Sequence, residues 1–317
     1  MDNMENSSSD LEQVLEYRAA LIDNRLISLV YVIEPSTLAD IIQYALGQRG
    51  KRIRSTLLTL SCEAVGGDID RAIIPALVIE MIHGTSLILD DLIDNSGTRR
   101  GNKTVNARWG DNLALIACDA MMSLAIRELT GTEMGLTRAM LKPVADTMLR
   151  MAEGEAMELE MRVRSVEEYG RIAEKKTASL FSLAAECGAL AGNGDEQQRE
   201  ALRQYGRHLG LAFQIRDDIL DFTAIIGDTG KPEFRDLAMG RPTLVTVLAA
   251  NDGLSREKML AMDRDMLLDA LGPYIKKADA IATKESKEAL RSLDVIPESL
   301  ARQRLKALCD YTVARTK

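Results

Sequence analysis

The sequence predicts an all-α protein built as one helical domain, and three observations carry that prediction. Good helix formers (Ala, Leu, Met, Glu, Arg, Lys) dominate, while aromatics make up only 4% and Pro only 7 of 317 residues. Apolar residues recur at spacings of three and four through most of the chain, the period of a helix. Alternating stretches of the kind that form strands are almost absent. With 46% apolar residues the chain can bury a substantial core as one large domain or two ordinary ones. No Gly/Ser linker, low-complexity run or solenoid repeat divides it, which favours a single domain over 11–317.

Residues 1–10 are polar and acidic, unlike a secretory leader, and are expected to be a frayed tail. Leu38, Ile41, Ile42 and Ala45 show the helical period early in the chain. Breaks fall at 34–36, 65–68, 95–104, 192–195 and 227–232, with helices of about 12 to 25 residues between them. Residues 76–94 form a long helix with few charges before an acidic end, which places it near the domain centre; 209–222 has the same character.

A net charge of -8 argues against a nucleic-acid binder, which depends on Lys and Arg to neutralise phosphates. No apolar run is expected to reach the roughly 20 residues that span a bilayer, so no transmembrane segment is predicted. Cys62, Cys118, Cys187 and Cys309 are scattered without a C-x-x-C pair, as buried thiols in a reducing cytoplasm would be. An anionic ligand must then be met by local basic clusters or by metal ions.

Two acidic motifs share one design. Asp90-Asp91-Leu92-Ile93-Asp94 follows the apolar run Ser86-Leu87-Ile88-Leu89, and Asp217-Asp218-Ile219-Leu220-Asp221 follows Phe213-Gln214-Ile215-Arg216. On a helix the first and last Asp of each lie one turn apart on one face, where their carboxylates can share oxygen-seeking cations. A solvated acidic face would carry one such motif at a cost of only about 0.2 to 0.5 kcal/mol. With Asp at about one residue in thirteen, composition alone yields two in roughly one chain in a hundred. Each motif also ends an apolar helix, where two carboxylates about 6 Å apart repel by roughly 3 kcal/mol and call for cations.

Counter-charges are present. Residues 47–54 set Arg49, Lys51, Arg52 and Arg54 in a Gly-flanked turn leading into a helix, a candidate anion site, although exposed basic runs are commonly solvated surface. Arg99 and Arg100 follow the first acidic motif, where Arg suits bidentate phosphate recognition. His83, Lys176, Thr177 and Gln214 are ambiguous singly, since a lone His on an apolar face is more often a core residue; together with the acidic motifs they could line one polar pocket.

These motifs, in this order over 47–243, resemble the trans-isoprenyl diphosphate synthase family, which includes farnesyl and geranylgeranyl diphosphate synthases. The markers are GKRIR at 50–54, EMIH at 80–83, DDLIDNSGTRRG at 90–101, KKTASLF at 175–181, FQIRDDILDF at 213–222, and GKP with GRPTL at 230–244. The resemblance implies a helical bundle of the isoprenoid synthase type around a central cavity, Mg2+ as cofactor, and a homodimer. It makes Asp90, Asp94 and Asp217 the metal ligands, with Asp91, Asp218 and Asp221 in support. It places Lys51, Arg54, His83 and Arg100 on isopentenyl diphosphate, Arg99, Lys176, Lys231 and Arg241 on an allylic diphosphate, and Thr177 and Gln214 beside a developing cation. Departures are Gln48 and Arg49 for a second Gly, Ser55 for Pro, Leu89 for His, Glu158 for Asp, Phe234 for Gly and Arg241 for Lys; they keep charge and ligands and alter the loop over the diphosphate.

The implied reaction is ionisation of the allylic carbon-oxygen bond and attack by the isopentenyl double bond. It needs no side-chain nucleophile, and no Ser-His-Asp or Cys-His set is recognisable. In the family, large aromatics at the positions of Thr85 and Ser86 stop growth near farnesyl. Small residues here imply a longer product, geranylgeranyl first and its next homologue second, with Ile82 a turn deeper and Met81, Met121 and Met122 as further floors. A terpene cyclase would carry a different second metal motif, and a non-catalytic partner subunit or a helical interaction protein would not need both motifs with the basic cluster.

Overall fold

In a computed structural model the described residues are 2–48, 50–160, 163, 165–223 and 234–314, with side chains from residue 11 onward. The chain is all-α among these residues apart from one two-residue ribbon. By internal contacts it divides into two compact units, Met1–Val144 with Ala184–Glu200 and Ile296–Ala307, and Ala145–Leu183 with Ala201–Val295 and Leu308–Lys317.

The first unit is organised on α4 (Ile69–Ile93), which packs against α3 (Ile53–Ala64) and α6 (Asp111–Thr130) and also touches α1 (Asp2–Val30) and α2 (Ser36–Gly47). Asp68 caps α4 by accepting the Asp70 N–H. Beyond that cap most side chains of the helix are apolar and its middle is buried, with Ala76, Met81, Ile79, Val78 and Ile82 at 3% exposure or less. The sequence expectation that no segment is long and apolar enough to span a bilayer therefore needs correcting. Helix α4 passes that test by length and composition, but most of it is buried within the protein, as a core helix is. Helix α1 begins at Asp2, within the segment expected to form a tail. Leu11, Val14, Leu15, Ile22 and Leu26 anchor the helix in the core, and extending an anchored helix needs no new nucleus.

After α4 the chain forms a ribbon of β1 (Thr98–Arg99) and β2 (Asn102–Lys103), then α5 (Val105–Trp109), α6 and α7 (Met134–Leu159), which continues into the second unit. Arg100 and Gly101 join the strands with φ of 51 and 77, the left-handed pair that a tight hairpin needs.

In the second unit α8 (Val166–Ala173) and α9 (Ser179–Ala191) are joined without a break by one π turn, Glu174–Ala178. Helix α10 (Glu196–Thr223) presents Leu211, Ile215, Ile219 and Phe222 at the helical period to a core shared with Tyr169, Leu237, Val245 and Leu271. The last three of these come from α11 (Arg235–Met239), α12 (Leu244–Asn251) and α14 (Arg264–Ser292). α13 (Arg256–Leu260) and α15 (Leu300–Ala314) complete the order. The breaks read at 34–36, 65–68, 95–104 and 192–195 fall between helices as expected; the one at 227–232 lies outside the described residues.

Candidate active site

Helix α4 ends on the first acidic motif. Asp94 is its C-cap and donates its N–H to the Asp90 carbonyl at 3.0 Å, so the one-turn spacing of Asp90 and Asp94 is preserved to the last residue. Both are half-buried. Asp91 faces the other way and is 5% exposed. Its two oxygens accept the Arg99 Nε–H at 3.0 and 2.9 Å, which ties β1 to the helix end. Asp90 and Asp94, expected as ligands, form an outer pair, and Asp91, expected in support, is an inner group bonded to Arg99.

The basic turn is divided in the same manner. Arg52 has φ 46 and is 8% exposed at its side chain. It donates to Glu80 Oε2 at 2.8 Å, to Asp23 Oδ1 at 2.8 Å and to the Leu46 carbonyl. Glu80, 2% exposed, also accepts the Ser55 N–H at 3.1 Å. Burial opposes the Arg52 charge, and Glu80 and Asp23 overcome it, so its pKa stays above the usual arginine value. Arg52, one of four cations read as an anion site, is thus an internal brace that fixes the turn.

Around that brace the structure gathers the other basic residues. Arg54 Nη1 lies 3.2 Å from His83 Nε2. A guanidinium only donates, so Nε2 accepts and the ring proton is on Nδ1. Burial, then Arg54, Arg100, Arg52 and Arg99, push the His83 pKa well below the usual histidine range. Gly50 sits under the Arg100 guanidinium, where a Cβ would stand 2.7 Å from Nη1. Lys51 is exposed beside it. Arg54, His83 and Arg100, predicted to share one ligand, are therefore neighbours, with the proton-bearing nitrogen of a neutral ring among cations.

In the second unit the motif at the end of α10 shows the same split. Asp217 is exposed and Asp221 half-buried, while Asp218 is 3% exposed. Asp218 accepts the Leu244 N–H at 2.7 Å and the Gln214 Nε2–H at 2.9 Å. Burial pushes its pKa up to about 7, against these bonds and the adjacent Tyr169 hydroxyl. Gln214 Oε1 in turn accepts the Thr177 hydroxyl at 2.6 Å. Gly210, one turn before Gln214, makes this reach possible: a Cβ there would meet the Ala178 Cα at 2.6 Å. Thr177, Gln214 and Asp218 form one chain of hydrogen bonds that ends on the first N–H of α12 and pins the loop carrying Arg241. Asp221 accepts the Asp236 N–H at 3.3 Å at the start of α11. Phe234 has φ 52 and stacks on Phe222 at 5.8 Å, a contact that no Gly at this position would make. Lys231 lies outside the described residues.

Lys176 occupies the middle of the π turn, a wide turn that recurs at functional sites. Its Nζ is 2.5 Å from Glu155 Oε2 and 2.5 Å from Glu158 Oε2. Sequence reasoning noted Glu158 only as a departure and missed Glu155; two acids at i,i+3 after Gly154 were the local signal, but their partner is 18 or more residues away. Of the residues read as setting product length, Thr85 is 5% and Ile82 3% exposed, and Ser86 donates to the His83 carbonyl at 2.8 Å. Met81 and Met121 are fully buried.

Among the described residues no three acidic, His or Cys side chains already converge on one point. The donors nonetheless suit magnesium: they are carboxylate oxygens paired one turn apart, and this ion takes one or two carboxylates and completes its shell with water and phosphate oxygens.

Residues 35–267 match the family described as Polyprenyl synthetase. The chain is 33% identical to the short chain isoprenyl diphosphate synthase of Methanothermobacter thermautotrophicus, over 96% of this chain and 99% of that one. It superposes on the crystal structure of geranylgeranyl pyrophosphate synthetase from Pyrococcus horikoshii with a TM-score of 0.89 at 33% identity, covering 98% and 99% of the two chains. A polyprenyl synthase from Caulobacter crescentus, solved in complex with calcium and isoprenyl diphosphate, matches with a TM-score of 0.87 at 27% identity over 98% of each chain. Helical bundle, paired acidic motifs and sequence agree, and the chain belongs to the polyprenyl synthetase family of trans-isoprenyl diphosphate synthases, which makes it a prenyltransferase.

Proposed function

We propose that this prenyltransferase joins isopentenyl diphosphate to an allylic diphosphate (dimethylallyl, geranyl or farnesyl) and releases geranylgeranyl diphosphate, the two compact units acting as one synthase domain over 11–317. The observation that carries the reading is the difference in burial within both acidic motifs: the inner Asp91 and Asp218 are 5% and 3% exposed, and the outer carboxylates are half-buried or exposed, a turn apart at helix ends. In this reading Asp90, Asp94 and Asp217 hold Mg2+, with Asp91, Asp218 and Asp221 in support. Bound divalent cations supply positive charge to a leaving diphosphate.

The remaining steps belong to side chains. Lys51, Arg54, Arg100 and the Nδ1–H of neutral His83 grip isopentenyl diphosphate; a neutral ring donates there without adding charge to the arginines. Arg99, Lys176, Lys231 and Arg241 take the allylic diphosphate, and Arg99 is held for this by Asp91. Positive groups fixed in advance stabilise charge as it develops on the leaving oxygen, commonly the largest catalytic contribution. Thr177 donates its proton to Gln214, so its oxygen lone pairs are available to an allylic cation. The isopentenyl double bond attacks that cation, and the proton lost afterwards goes to the released diphosphate. Water must be excluded, since it would quench the cation, and the small Thr85 and Ser86 leave depth for a chain longer than farnesyl. A homodimer in the cytoplasm completes the proposal, supported by four buried free thiols for the compartment and by the family for the assembly.

The test is to incubate the purified protein with magnesium, radiolabelled isopentenyl diphosphate and each allylic primer in turn, and to size the products. A twenty-carbon product from the protein alone is expected, shortened by Ser86→Phe. Turnover that stops at farnesyl, or that requires a second polypeptide, would overturn the assignment.

A further inference from the structure

The Lys176 ammonium is held by two carboxylates at once. Glu155 and Glu158, at i,i+3 on α7, both lie 2.5 Å from it, and all three side chains are about four-fifths buried, at 21%, 17% and 17% exposure. A lysine drawn between two carboxylates is already committed within the protein at the position where a cation is needed to meet a diphosphate. The arrangement is built into the backbone. Gly154 precedes the two acids, and a Cβ at that position would stand 2.7 Å from the Lys176 N, so only a residue without a side chain lets α7 press this closely on the π turn. The neighbouring Lys175 is paired with Glu153 on the same helix, so the turn's two lysines are both drawn towards α7.

We propose that Glu155 is a positioning residue that holds Lys176 in reserve, so that the allylic diphosphate must compete for the ammonium and its affinity is set below what Lys176 alone would give. The inference rests on the reading of Lys176 as an allylic diphosphate ligand. One carboxylate suffices to orient the lysine; the second adds repulsion toward an incoming anion and a competitor for its best donor, since charge-assisted bonds of this kind are about twice as strong as neutral ones. Glu158 would keep Lys176 aligned after Glu155 loses its charge. The device lowers affinity for one substrate only, because the groups read as holding isopentenyl diphosphate are on other elements.

Three variants test it. Glu155→Gln keeps shape and hydrogen bonding while removing the charge, and should lower KM for the allylic diphosphate by about tenfold with KM for isopentenyl diphosphate unchanged. Glu155→Asp, which keeps the charge, should move the allylic KM back toward the parent value. Calorimetric titration with inorganic diphosphate should give the same order of affinities. Lys176→Ala is the control and should raise the allylic KM. If Lys176→Ala does so while Glu155→Gln binds diphosphate no more tightly or more weakly, the proposal is overturned by itself. If Lys176→Ala changes nothing, the assignment of Lys176 fails and takes the proposal with it.

Discussion

Replacing Glu80 by Ala would unpair the most deeply buried ion pair described in the first unit. Glu80 and Arg52 are 2% and 8% exposed at their side chains and 2.8 Å apart, so solvent does little to screen them. At an effective dielectric near 20 their gross attraction is about 6 kcal/mol, much of it offset by the cost of taking both from water. The substitution leaves that cost in place on Arg52, which keeps only Asp23 and the Leu46 carbonyl. It also strands the Ser55 N–H, worth about 1 to 3 kcal/mol. A net loss of about 3 to 5 kcal/mol follows, a large part of the 5 to 15 kcal/mol that holds a typical domain together. Trp109, the one tryptophan, lies in the same unit and reports its urea unfolding by fluorescence. Because Arg52 braces the turn between Lys51 and Arg54, KM for isopentenyl diphosphate should rise as well. Arg52→Met with Glu80→Met removes both charges together and should cost less than Glu80→Ala alone. A loss below about 1 kcal/mol in Glu80→Ala, or a double variant weaker than the single one, would refute the brace.

The two acidic motifs should separate by assay. Asp90→Ala and Asp217→Ala are expected to lower kcat by about a hundredfold or more with urea midpoints near the parent's, since these side chains are half-buried or exposed. Asp91→Ala and Asp218→Ala release Arg99 and the Leu244 N–H, so each should cost about 1 to 3 kcal/mol of stability; a stable Asp218→Ala would contradict this. His83 gives a pH signature. Its folded pKa lies well below about 6.5, so below that pH the unfolded chain binds a proton the folded chain does not. His83 should therefore contribute a fall in stability on acidification through about 6.5, by up to about 1.4 kcal/mol per pH unit, set against the opposite contribution of Asp218, whose pKa is pushed up to about 7. Urea midpoints from pH 7.5 to 5 should lose this slope in His83→Gln, and identical slopes in both proteins would exclude it.

The sequence determined what repeats locally. Helical periodicity, the apolar character of 76–94 and 209–222, and the one-turn spacing of Asp90 with Asp94 all follow from 3.6 residues per turn, and α4 and α10 realise them. So did the identity of the charged residues, which places this chain in its family. Tertiary structure alone decided which of those charges face inward. Arg52 and Arg54 are two residues apart, yet one is an internal brace tied to Asp23 and Glu80 and the other meets His83. Asp90 and Asp91 are adjacent, yet the first is half-buried and the second is 5% exposed and bonded to Arg99. Lys176 meets Glu155 and Glu158 through a helix contact that depends on Gly154. The reason is physical: spacing along a helix is fixed by neighbouring backbone bonds, whereas a side chain's burial and its partner are set by elements tens of residues away.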